Sequence, residues 1–285
     1  MTPRQVLRVI TSHQQREGGG FVVRRPFPTR GFDDADPFLM LDEMGPVEYP
    51  PGEAIGAPDH PHRGFETVTY VLEGEAEHAD SAGHRGKIGP GDVQWMTAGR
   101  GIVHAEMPSR TLQEHGGRMH GFQLWVNLPA RDKMMAPRYQ EIPKAKIPTA
   151  TSSDGLATVH VIAGTALGVS AVIETRTPIT YQHWRLRPGA AIDVAVPTDH
   201  TAFVYAFQGS LTVSGRALAA GQLAVLGEGD AVALAASEDA QALLLTGVPL
   251  REPVARYGPF VMNTEREIEQ AIRDYRAGKL GVIDR

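Results

Sequence analysis

The chain has 285 residues, no cysteine, and 28 basic against 33 acidic side chains, a formal net charge of −5. That balance lacks the basic footprint of a nucleic-acid binder, and the missing thiols exclude disulfides, thiolate ligands and a cysteine nucleophile. The length suits about two domains, each large enough to bury a core. The first ten residues carry Arg4 and Arg8 without an apolar run of signal-peptide length, and no stretch of about eighteen apolar residues occurs anywhere. A cytoplasmic protein with no membrane segment and no direct nucleic-acid contact is expected. Nothing specifies an oligomer, and a monomer is the default.

Residues 6–10 and 21–25 are apolar and β-forming, and a polar stretch ending in Gly18-Gly19-Gly20 separates them, which reads as a hairpin. Arg24 and Arg25 read as a solvated face. Phe38, Leu39, Met40 and Leu41 form an unbroken apolar run with acidic flanks, a buried strand. Pro46, Pro50, Pro51, Gly52, Gly56, Pro58 and Pro61 then predict a loop over 46–62 that leads into whatever follows. Residues 66–72, rich in Thr, Val and Tyr, predict a strand, and Glu73-Gly74-Glu75 the tight turn of a hairpin. His78 and His84 lie in a polar stretch and read as exposed turn histidines. Residues 122–127 alternate, with Phe122, Leu124 and Val126 on one face and Gln123, Trp125 and Asn127 on the other. If the second face looks inward, Gln123 and Trp125 line a pocket. His115 and His120, just before it, read as solvated loop histidines.

The stretch from His60 to Glu106 holds the chemistry. Strand residues two apart share a face, so His60 with His62, and His104 with Glu106, each present a pair of ligands in one direction. One His-x-His among eleven histidines is a weak signal. The second pair follows a Pro90-Gly91-Asp92 turn, a short apolar run and a Gly99-Arg100-Gly101 corner, the strand-turn-strand context that aims ligands inward. Three imidazoles and a carboxylate suit a borderline first-row divalent metal, and a six-coordinate ion would keep two positions open. An open position favours catalysis over a structural role.

Pro129, Pro137, Pro143 and Pro148 mark a connection between two halves, placing the boundary after residue 135. The second half repeats the first in outline. Phe203 to Gly209 parallels Val68 to Gly74, and Ala220 to Leu226 parallels Pro90 to Met96, which argues for two antiparallel β-barrels of one design in an all-β chain. Neither His183 nor His200 has a ligand partner two residues away, so only the first half should hold metal. Thr264-Glu265-Arg266-Glu267 is a capping box, Ile268, Ala271, Ile272 and Tyr275 recur at helical spacing, and Gly278 is a stop. This C-terminal helix should pack by a narrow apolar stripe on a barrel surface.

The segments His60-Pro61-His62-Arg63-Gly64-Phe65-Glu66-Thr67, Trp95-Met96-Thr97-Ala98-Gly99-Arg100-Gly101, His104-Ala105-Glu106-Met107-Pro108 and Gln123-Leu124-Trp125-Val126-Asn127-Leu128 resemble the signature of the pirins, a branch of the cupin superfamily. Asp36-Pro37-Phe38-Leu39-Met40-Leu41-Asp42-Glu43 upstream, with Arg251-Glu252-Pro253 and Gly258-Pro259-Phe260-Val261-Met262-Asn263-Thr264 downstream, extend the similarity over nearly the whole chain. The resemblance implies a bicupin of two jelly-roll domains, residues 1–135 binding metal and residues 136–285 a degenerate cupin with the terminal helix. It implies Fe(II) held by His60, His62, His104 and Glu106, although this donor set also accepts other divalent transition metals. Cupins often take the carboxylate a few residues after His-x-His, here Glu66. Pirins place it at the position of Glu106, which leaves Glu66 as an outer partner of an imidazole or a rim acid. By the same resemblance the activity is a quercetin 2,3-dioxygenase type, opening flavonols with O2, with Glu106 also taking the substrate proton. The alternative is an iron-dependent regulator that binds transcription factors or metabolic enzymes.

Overall fold

The computed structural model describes residues 1–33 and 35–284 and is mostly β. In chain order the first elements are β1 (Val6–Thr11), β2 (His13–Glu17), β3 (Phe21–Phe27), β4 (Phe38–Tyr49), β5 (Ala57–His62), β6 (Phe65–Glu73), β7 (Ala76–Asp80), β8 (Arg85–Ile88), β9 (Val93–Thr97), β10 (Ile102–Pro108), the short helix α1 (Arg110–His115), β11 (Gly117–Asn127) and β12 (Arg138–Ile142). They continue with β13 (Thr149–Thr151), β14 (Ala157–Ala163), β15 (Thr165–Ala166), β16 (Val169–Ser170), β17 (Ile179–Leu186), β18 (Ala191–Ala195), β19 (Thr201–Gln208), β20 (Ser210–Val213), β21 (Arg216–Ala219), β22 (Gln222–Leu226), β23 (Ala231–Ala235) and β24 (Ala240–Gly247). The chain closes with β25 (Ala255–Tyr257), β26 (Phe260–Met262) and helix α2 (Glu265–Arg276).

Two compact units result, each drawn from three stretches of the chain. A histidine unit comprises residues 14–25, 38–144 and 250–285, and an apolar unit residues 1–13, 26–37 and 145–249. The sheets repeat one plan. The first seven-stranded sheet runs β12-β9-β6-β11-β4-β3-β2 and the second β1-β22-β19-β24-β17-β14-β13; the four-stranded sheets run β5-β10-β7-β8 and β18-β23-β20-β21. The duplication expected from the β6/β19 and β9/β22 segments is thus present, strand for strand. The expected closed barrels are not. The described strands of each unit form an open seven-stranded and an open four-stranded sheet that share no ladder, with a separate two-stranded sheet, β25-β26 in the histidine unit and β15-β16 in the apolar unit.

Several local readings change for tertiary reasons. β1 pairs with β22, Ile10 opposite Leu223, and the triple glycine joins β2 to β3 instead. The proline-rich stretch holds strand at both ends, because β4 runs on to Tyr49 and β5 begins at Ala57. Gly74 turns no hairpin: β6 lies in the seven-stranded sheet and β7 in the four-stranded one. At φ +81, with an added Cβ only 2.7 Å from the Arg118 carbonyl, it marks the crossing from one sheet to the other. β12 falls within the proline-marked connection and pairs with β9, Tyr139 opposite Met96.

The interior of the apolar unit is filled. Trp184, Val159, Val204, Val213, Val232 and Leu244 are all 1% exposed or less, and they come from both sheets of the unit. In the histidine unit β10 is two-faced: Val103 and Ala105 join Phe260, Met262, Ile268, Ala271, Leu280 and Ile283 in one cluster. His104 and Glu106 therefore point the other way. Helix α2, closed by the Thr264/Glu267 capping box, packs its apolar stripe onto the outer face of β10, as expected of it.

Polar ties hold the corner beside β5. Gly64, at φ +90 and with an added Cβ only 2.0 Å from the Val261 carbonyl, admits no other residue without a shift. The buried Lys133 Nζ donates to the carbonyls of Gly64 and Val261 at 2.8 and 3.1 Å and to Asn127 Oδ1 at 2.6 Å. Burial brings its ammonium down to about 8. Arg63, next to His62, donates to the Arg100 carbonyl at 2.6 Å and to Asp274 of α2 at 3.0 Å. Lys279 first, and Arg63 second, hold the Asp274 carboxyl down at about 2. The unfolded chain protonates such a carboxylate near 4, so its contribution is complete above that pH and is lost as pH falls through about 2. Asp274→Asn should therefore cost about 1 kcal/mol at pH 7 in urea unfolding, and the gap from wild type should close as pH drops from 4 to 2. A gap independent of pH would show that the ion pair contributes nothing.

Candidate metal centre

β5 and β10 are antiparallel neighbours with His60 opposite His104 and His62 opposite Ile102. Because each strand alternates faces, His60, His62 and His104 all turn inward. Their ring centroids lie 4.7 Å (60–62), 4.3 Å (60–104) and 4.9 Å (62–104) apart, and one ligand nitrogen from each falls within 4.8 Å of the others. Among the described residues this is the one such convergent group.

Electrostatics and hydrogen bonding make the trio a fit for a metal. His62 and His104 are buried, and neither ring nitrogen of either residue has a hydrogen-bond partner. Burial, reinforced by the neighbouring imidazoles, pushes both well below the ordinary histidine value, so both stand neutral with a lone pair available. His60 donates from Nδ1 to the Pro58 carbonyl at 2.8 Å, which leaves Nε2 as the lone-pair nitrogen. Buried polar atoms without partners cost about 1–3 kcal/mol each, and a bound cation would take up the lone-pair nitrogen of each ring.

Glu106 stands beside the trio. Its Oε2 is 4.0 Å from His104 Nε2. Oε1 accepts from Thr69 Oγ1 at 2.8 Å and Oε2 from Gln123 Nε2 at 2.9 Å. Thr69 on β6 and Gln123 on β11 are direct cross-strand partners, so both present the same inner face to Glu106. The indole N–H of Trp125 donates to Gln123 Oε1 at 3.1 Å, which fixes the amide with its NH2 toward the carboxylate. Gln123 and Trp125 thus face inward. Glu66 is fully buried, accepts from Thr97 Oγ1 at 2.6 Å and lies outside the histidine group.

A cavity of about 570 Å³ opens on the site, lined among others by His60, His62, Thr69, Glu106, Gln123, Trp125, Arg25, Asp42 and Arg256. Its size falls in the range of small-molecule pockets. Three local readings are corrected here. His78 is buried on β7, bonded to Glu141 at 2.7 Å and stacked on Tyr139; only His84 is exposed. His120 lies within β11, buried against Glu43 at 3.0 Å, while His115 at the end of α1 is exposed as read. Arg25 is no solvated arginine: it pairs with Asp42 at 2.6 and 2.5 Å. Thr69, Asp42 and Arg256 went unread in the sequence, since only strand register places them at the site.

The fold and the site define a cupin-like protein with a three-histidine candidate metal centre. Comparison with known proteins agrees. The pirin family matches residues 20–126 and the pirin C-terminal cupin domain residues 181–281. The chain is 46% identical to mouse pirin over 98% of its own length and 94% of that protein. It is 43% identical to a Pseudomonas aeruginosa protein provisionally named a quercetin 2,3-dioxygenase, over 98% and 99% of the two chains. The crystal structure of quercetin 2,3-dioxygenase from Acinetobacter baumannii superposes with a TM-score of 0.94 at 40% identity, covering 99% of this chain and 100% of that one. The chain belongs to the pirin family.

Metal-stripped protein should take up one equivalent of Co(II) in calorimetric titration and gain about 2.7 kcal/mol of stability at a hundredfold excess over Kd. His104→Ala should weaken that binding by more than the roughly 10–100-fold that loss of an outer-sphere partner costs. Undiminished affinity in the variant would place the metal elsewhere.

Proposed function

We propose that this protein is an iron-dependent oxidoreductase that cleaves flavonols such as quercetin with O2, and that His60, His62, His104 and Glu106 are its metal ligands. The observation that carries the reading is the cavity of about 570 Å³, lined by His60, His62 and Glu106, beside the convergent His60, His62 and His104 imidazoles. The A. baumannii and P. aeruginosa relatives support it by name. Bound at this site, Fe(II) would supply Lewis acidity to a substrate oxygen and electron transfer to dioxygen.

The side chains have distinct tasks in this reading. His62 and His104 stay unprotonated because burial disfavours their charged forms, so they are ready to donate lone pairs at neutral pH. Glu106 receives the proton of the substrate hydroxyl at a carboxylate oxygen, within the hydrogen-bond reach that general-base catalysis requires. Thr69 and Gln123 hold that carboxylate on the cavity side, beside the imidazoles that would hold the metal. Trp125 and Phe65, with ring centroids 4.3 Å apart, wall off water next to His62. In the overall reaction two ring C–C bonds break, both atoms of O2 enter the ester product, and one ring carbon leaves as carbon monoxide. Absence of cysteine fits operation in a reducing cytoplasm.

A second reading, an iron-dependent regulator that binds protein partners, is favoured by the equally high identity to mouse pirin. Anaerobic reconstitution with Fe(II), followed by quercetin turnover with O2 uptake and carbon monoxide release, separates the two. Wild type should turn over, His62→Ala should lose iron and activity together, and Glu106→Gln should lower kcat by about 100-fold or more. Wild-type protein that holds one iron yet consumes neither quercetin nor O2 would sink the dioxygenase reading.

A further inference from the structure

Two arginines line the cavity, and the fold treats them differently. Arg25 is committed. Its Nε and Nη2 form a two-bond fork on Asp42 at 2.6 and 2.5 Å, and Nη2 also lies 2.8 Å from Glu17. Arg256, on β25, is uncommitted. Its guanidinium carbon stands 4.9 Å from the centroid of the Trp125 ring, and Nη1 donates one long bond to the Leu39 carbonyl at 3.3 Å. Among the described residues it makes no ion pair. The carboxylates nearby are engaged: Asp42 and Glu17 by Arg25, Glu106 by Thr69 and Gln123.

Trp125 links this guanidinium to the candidate metal centre. One side of the indole stands edge-on to His62 with ring centroids 5.2 Å apart, and the guanidinium lies against the ring itself. His60, His62, Trp125 and Arg256 line one cavity, so a ligand on the histidines that extends past the indole can meet the guanidinium. The walls suit a flat aromatic body, because four of the chain's nine methionines, Met40, Met44, Met107 and Met119, line this one cavity. Thioethers adapt their shape to a ring and attract its edge. A guanidinium held against an aromatic face keeps its N–H edge for a planar anion, which it pairs with in two parallel bonds.

We infer that the cavity selects a planar aromatic ligand carrying an anionic oxygen, carboxylate or phenolate, at the end remote from the histidines, and that Arg256 is the specificity-determining residue that receives it. The inference rests on the reading of the histidine cavity as a substrate site. It adds a charge requirement which that reading lacks.

The test is equilibrium binding, measured by calorimetry on Zn(II)-loaded protein so that no turnover intervenes. The probes are 3-hydroxyflavone with a carboxylate, a hydroxyl or a methyl ester at the 4′ position, and the phenol is measured on either side of its own pKa. Wild type should bind the carboxylate about tenfold tighter than the ester, and the phenol should gain affinity as it ionises if phenolate serves as well. Arg256→Gln should bind acid and ester alike with the ester's affinity unchanged, and Arg256→Lys should restore part of the gap. Equal affinities in wild type, or a gap that survives in Arg256→Gln, would overturn the inference. A protein that shows the expected gap but degrades no flavonol would keep the charge selectivity and lose the dioxygenase reading.

Discussion

The two-residue period of β10 is the constraint on which the rest depends. One strand has to satisfy two environments at once, with Val103 and Ala105 in the apolar cluster under α2, His104 in the histidine group and Glu106 in the cavity. A one-residue slip against β5 would exchange those faces, putting imidazole into the apolar cluster and valine into the site. The register is held from outside the ladder as well as within it. Helix α2 covers the outer face, Asp274 ties that helix to Arg63, and Lys133 gathers the Gly64 and Val261 carbonyls around the same corner.

The site itself is held in a state that packing alone would not favour. Four buried ring nitrogens on His62 and His104 lack partners, and desolvation keeps both rings neutral. Such an arrangement costs stability unless a cation takes up the lone pairs. Second-layer contacts prepare for that occupant. His60 is fixed in one tautomer by the Pro58 carbonyl, and the Trp125–Gln123–Glu106–Thr69 chain sets the carboxylate at the edge of the trio.

Duplication gives the second unit the same sheet order and no equivalent chemistry. Where the histidine unit has an open cavity, the apolar unit has Trp184 and a dense set of Val, Leu and Ala side chains drawn from both of its sheets. His183 pairs with Gln241 at 2.8 Å and His200 with Thr246 at 2.9 Å, ordinary hydrogen bonds in each case. One fold therefore supports a candidate metal centre or a solid core according to which side chains occupy its inward positions.

Local sequence by itself determined what depends on short spacing: the His60/His62 and His104/Glu106 pairs, the alternation of residues 122–127, the capping box of α2, the duplicated strand segments and the family signature. These were legible because strand period, helix period and turn chemistry act over a few residues. Tertiary structure alone decided the partners that lie far apart in the chain. It gave β1 to β22, brought β12 and α2 into the histidine unit, kept the sheets open, buried His78 and His120, and carried Arg256 to a wall set by Trp125. Those outcomes depend on which strands win the available sheet edges and which charged groups find partners there. That competition is settled by long-range packing and desolvation, and no local pattern encodes it.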